Sequence, residues 1–214
     1  MQAIMESLFD VFYLSFAIAT GIHLLRRGKE KMIRLLGAAC LVLGCGDAFH
    51  LVPRIMDYWL AGDFTALLGI GKLVTSLTMT LFYLLLEYVR RERYGIQGKS
   101  IVLNVFWELC ILRIALCLFP QNAWTSSDSP VSWGIYRNLP FAAMGVLSIV
   151  TWLNSAKADR VFRLMWLAIL LSFLFYFPVV LWADVLPIIG MMMLPKTCMY
   201  IWMLCMFRKA SKLQ

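Results

Sequence analysis

Seven long apolar runs alternate with short polar segments along the chain. The runs extend from about Glu6 to Leu25, Met32 to Arg54, Phe64 to Val89, Ser100 to Phe119, Ile135 to Asn154, Leu164 to Ala183 and Leu186 to Phe207. Each has about 20 residues, the length an α-helix needs to cross a roughly 30 Å hydrocarbon core. The polar segments alternate in charge. RRGKEKMIR, RRERYGIQGK, SAKADRVFR and RKASKLQ are basic. Between them, PRIMDYWLAGD balances Arg54 with Asp57 and Asp63, PQNAWTSSDSPVSWG has no Lys or Arg, and a tight connection carries Asp184. The positive-inside rule turns this alternation into an orientation, with the N-terminus outside and the C-terminus in the cytosol. The expected fold is all-α: residues 1–214 form a single seven-helix transmembrane bundle, a polytopic membrane protein.

Composition agrees. Of 214 residues, 62% are hydrophobic and only 15% charged, against about 45–50% and about 25% in a soluble domain. The net charge of +8 does not point to nucleic acid, because fifteen of the twenty Lys and Arg residues sit in the four basic segments. They orient the chain and attract anionic membrane lipid. The six cysteines all fall inside expected spans and form no CxxC pair, so neither a metal site nor a redox motif is signalled. The first residues carry Glu6 and Asp10 but no basic residue, so no cleavable signal peptide is expected. Compact loops without an N-x-S/T sequon fit the plasma membrane of a bacterium, its inner membrane. The sequence sets no oligomeric state.

Loops this short leave function to the bundle. Five basic residues lie outside the basic segments: Arg54, Lys72, Arg113, Arg137 and Lys196. With the expected orientation, Arg54 and Arg137 fall near the outer interface. Asp47, Lys72 and Arg113 lie roughly 8–12 Å inside it, and Glu108 and Lys196 near the midplane. All seven prolines map to the outer half or the outer loops. Proline in a spanning helix frees a carbonyl that protein or water must satisfy. Charges are costly in hydrocarbon unless paired or hydrated. Together these features predict a water-accessible cavity in the outer half, with Lys72, Thr75, Ser76, Glu108, Arg113, Arg137, Asn138, Tyr176 and Lys196 as ligand-binding candidates. Counting two acids against four bases makes this cavity net positive. It would bind a small anionic or zwitterionic solute or a lipid head group, for binding or transport. No cofactor is implied.

Asp47 and His50 add a second possibility. Three residues apart, they share a helix face, and a carboxylate beside an imidazole suits general acid–base catalysis. The sequence lacks HExxH, GxSxG and Walker motifs, and its two histidines lie in different spans, which excludes a three-His zinc site. The segment LGCGDAFHLVPR resembles the Gly-Asp helix of the lysoplasmalogenase family, membrane enzymes that cleave the vinyl-ether bond of lysoplasmalogens. Gly46-Asp47 and Pro53-Arg54 match, and the resemblance implies Asp47 as acid or base. The next helix, GKLVTSLTMTLFYLL, puts Thr and Ser where that family usually has His. The chain has seven expected spans rather than eight and no second acid deep in its later half. Seven helices with Lys196 in the last, and YFPVVLW in the sixth, also resemble the microbial rhodopsins, where Lys196 would link retinal in a sensor or photoreceptor. Helix three offers no counter-ion carboxylate for that role.

Overall fold

The computed structural model describes residues 2–126, 129–183 and 185–213, and Asp184 of the expected sixth connection lies outside them. The described residues form seven α-helices: α1 (Gln2–Arg27), α2 (Lys31–Trp59), α3 (Thr65–Arg93), α4 (Ile101–Leu118), α5 (Val131–Ser155), α6 (Met165–Trp182) and α7 (Met193–Lys212). Among the described residues, six stretches are long and apolar enough to cross a membrane, the last running from Ile188 through α7. The helix α5 has the length, but Arg137, Asn138 and Asn154 lower its apolarity.

Two boundaries differ instructively from expectation. Pro53 does not end α2, which continues to Trp59. The extra turn is held to α1: Arg54 pairs with Glu6, the Tyr58 hydroxyl donates to Glu6 at 2.7 Å, and the Trp59 indole donates to Ser7 at 3.0 Å. Conversely, the run expected to open the seventh span is 3-10 backbone from Pro187 to Met192. The α-helix starts only afterwards, with Pro195 in its first turn, where no intrahelical N–H is needed.

Each helix packs on the next, α3 also reaches α5, and α7 returns against α1 and α2 to close the ring. Small residues set the close approaches, as in lipid-buried helix pairs. A Cβ on Gly46 would strike Thr78 of α3, and one on Gly71 would strike the backbone of Phe49 and His50. Farther round, an aromatic core of Phe82, Tyr83, Phe141, Phe173 and Tyr200 joins α3, α5, α6 and α7, with Tyr83 5.2 Å from Phe141 and Phe82 5.9 Å from Tyr200 in edge-to-face contact.

The bundle has two distinct ends. At the basic end, Lys31 meets Glu92 at 2.7 Å, Arg90 meets Ser155 and Arg93 meets Asp159. The other end holds the Glu6–Arg54 pair, and there Arg137 of α5 donates to Asn122 at 2.8 Å. Thus α5 runs between the same two ends as its neighbours.

The connection from α5 to α6 is built around Asp159. Its carboxylate accepts from Arg93 Nε at 2.9 Å, from the Tyr94 hydroxyl at 3.1 Å, and from the backbone N–H of Val161 and Phe162 at 2.7 and 3.1 Å. Burial pushes this carboxyl up, but the Arg93 bond, the two N–H groups and the Arg93 charge outweigh it and hold Asp159 below its ordinary 3.8. A depressed carboxylate stabilises the fold fully above its unfolded value and loses that contribution as pH falls through the folded one. Asp159→Asn is therefore expected to lower the thermal midpoint at pH 7. The gap between variant and wild type should shrink on acidification below about pH 4. A gap constant from pH 7 to 3 would show that the carboxylate charge is not what holds this turn.

Candidate functional site

On α1, Glu6, Asp10, Tyr13 and Ala17 recur at helical spacing and are all buried. On α2, Asp47, His50 and Arg54 form a second polar stripe one turn apart. Glu6 and Asp10 of the first stripe, all of the second, Thr75 of α3, and Lys196, Thr197 and Tyr200 of α7 line one cavity at the end of the bundle opposite the basic segments. Its free volume is about 50 Å³, room for about four waters or a solute of a few heavy atoms.

Its carboxylates are held differently. Glu6 is committed to Arg54 and Tyr58. Asp47 accepts a 2.6 Å hydrogen bond from Tyr13. Lys196 is 7% exposed, with its ammonium 4.6 Å from the Tyr176 ring and 5.5 Å from the Tyr200 ring, a cation–π setting. Asp47 and Lys196 both line this cavity, yet no ion pair or hydrogen bond joins them among the described residues. One wall thus carries carboxylates and the other an ammonium ion, with space between.

Of the residues expected in the cavity, Asp47, His50, Thr75 and Lys196 line it. Thr75 also ties α3 to α2, donating to the Gly46 carbonyl at 3.2 Å. Asp47 and His50 do not hydrogen-bond each other, and His50 Nδ1 is buried without a protein partner. Lys72 is exposed, and Ser76 is turned back to the Lys72 carbonyl at 2.8 Å. Glu108 is exposed on α4 and does not line this cavity. Arg113, Asn138 and Tyr176 form a cluster outside the lining, which touches it through the Lys196 contact with the Tyr176 ring. The Arg113 guanidinium lies 3.5 Å over Phe141 and reaches Asn138 at 3.4 Å, while the Tyr176 hydroxyl donates to Asn138 at 2.9 Å. Arg137 lies elsewhere again, stacked 4.2 Å over Trp124 and bonded to Asn122.

The expected net-positive charge is therefore corrected. Lys72, Arg113 and Arg137 stay out of the lining, while Glu6 and Asp10 enter it. Glu6, Asp10 and Asp47 against Arg54 and Lys196 leave one formal negative charge, with His50 neutral. The spacing of Glu6, Asp10 and Tyr13 on one face of α1 was the signal for the missing acids, since ionisable residues on the apolar face of a span must turn inward. Among the described residues no group of three or more His, Cys, Asp or Glu side chains is placed to hold a metal ion.

The chain matches no family model, no curated protein and no solved structure.

Proposed function

We propose that this is a seven-span protein of the plasma membrane, N-terminus outside and C-terminus cytosolic, that binds a small zwitterionic solute in its outer-half cavity. The orientation rests on the clustering of basic residues at one end of the bundle. The seventh span rests on α5 running between the same two ends as the others. The binding reading rests on one observation: Asp47 and Lys196 face a shared cavity from different helices without bonding each other. A buried charge needs a partner or water, and a molecule carrying both an ammonium and a carboxylate would satisfy both walls at once. The free volume supports a solute the size of glycine. It gives less support to a lipid head group, a lysolipid substrate or retinal. The Asp47 hydrogen bond to Tyr13 rather than His50 likewise gives the lysoplasmalogenase-type hydrolysis little support.

Glycine is expected to raise the thermal midpoint of the purified protein, because a ligand of the folded state stabilises it by mass action. Acetate and methylammonium, each carrying half of the charge pattern, should need at least tenfold higher concentration. Asp47→Asn and Lys196→Met should each weaken glycine binding by about 10- to 100-fold, since each removes a charged hydrogen bond worth about 1.5–3 kcal/mol. Equal effects of glycine, acetate and methylammonium would overturn the reading, as would glycine binding unchanged in both variants.

A further inference from the structure

The basic end carries a second recess, far from the cavity. It lies between the α5–α6 connection and the last turns of α7, and has a free volume of about 590 Å³, open to the surroundings. Four cations border it: Lys157, Arg160, Arg163 and Lys209. All four are exposed, and none of their side chains has an ion pair or hydrogen bond among the described residues. The one acid there, Asp159, is already bonded to Arg93, Tyr94 and two backbone N–H groups. Its charge does not offset the four.

The recess is graded along the helix axis. On α7, Trp202, Cys205, Met206 and Lys209 share a face at helical spacing. Trp202 lies about 10 Å from Lys209 along the axis, toward the middle of the bundle. Cys205 and Leu164 are exposed beside it. Cations at the rim and apolar or aromatic surface below them repeat the order of a phospholipid, phosphate above acyl chain. Tryptophan is at home at that boundary. A soluble polyanion would gain nothing from the apolar wall.

We propose that this recess is a binding site for one anionic phospholipid, its phosphate held by Arg160, Arg163, Lys157 and Lys209 and its chains lying along Trp202, Cys205 and Leu164. Basic recesses between spanning helices are suited to such head groups, each cation near the surface contributing about a fivefold gain in affinity.

Native mass spectrometry of the full chain in detergent tests this. Phosphatidylglycerol should be retained at least tenfold better than phosphatidylcholine with the same acyl chains. The variant K157Q/R160Q/R163Q/K209Q should bring the two lipids to parity, while R26Q/R27Q, which removes two cations elsewhere at the same end, should leave the preference intact. If the fourfold variant does not fold, R160Q and K209Q singly should each lower the preference about fivefold. Equal retention of both lipids in the wild type, or a preference that survives the fourfold variant, would overturn the proposal. So would an equal loss in R26Q/R27Q. Displacement of the lipid by glycerol 3-phosphate, or a recess that holds an acidic polypeptide and no lipid, would overturn it too. None of these results depends on glycine binding at the other end.

Discussion

Arg90→Ala is expected to destabilise the protein by about 3–5 kcal/mol, the cost of leaving a buried charge without its partner. Glu87 is buried and its side chain has no exposed surface. Arg90 holds it in a fork, Nε to one oxygen at 2.8 Å and Nη2 to the other at 2.7 Å, and its third nitrogen reaches Ser155 of α5 at 2.7 Å. The pair sits one turn apart on α3 and pins the basic ends of α3 and α5 together. Removing the guanidinium strands a fully buried carboxylate without its partner. Removing both partners is a different matter. Glu87→Leu with Arg90→Met fills similar space without an orphan charge, and a buried pair replaced by apolar groups is often neutral or stabilising. Denaturant unfolding in detergent should therefore rank the single variant well below the double one. Equal losses in the two would mean that shape, not charge pairing, holds this end.

Gly71→Val should cost about 1–3 kcal/mol or somewhat more, and should weaken glycine binding as well. A Cβ at position 71 would run into the Phe49 carbonyl and the Cα of His50, which are backbone atoms that cannot rotate aside. The two helices must part, and overpacking of this kind is destabilising. The displaced turn carries His50 and lies one turn from Asp47, so the cavity wall moves with it. At Gly134 of α5 the nearest atom to an added Cβ is the tip of Arg137, 3.8 Å away. Gly134→Ala should be neutral or gain up to about 1 kcal/mol from helix propensity. A pair of melting curves separates the two positions, and similar midpoints for Gly71→Val and wild type would show that α2 and α3 have slack.

Glu87 and Arg90 are three apart and share a helix face, but only the arrival of Ser155 from α5 makes them a lock between helices. Gly71 is one of thirteen glycines in the chain. Nothing local marks it as the place where two backbones touch.

The succession of apolar runs determined the helices, because a roughly 30 Å hydrocarbon layer needs about 20 apolar residues to cross it and the spacing of charges follows from that. The sequence also placed Asp47, His50, Thr75 and Lys196 in a shared polar region, because ionisable groups on apolar helices have nowhere else to go. The rotation of each helix about its own axis was left to tertiary packing. Depth along a span can be counted from residue number, but the direction a side chain faces depends on which small residues let which neighbour approach. That is why Glu108 and Lys72, at suitable depth, face outward, and why Arg113 and Arg137 turned to aromatic partners. It is also why Glu6 and Asp10, on the first helix, complete a cavity whose charge is the reverse of the count along the chain.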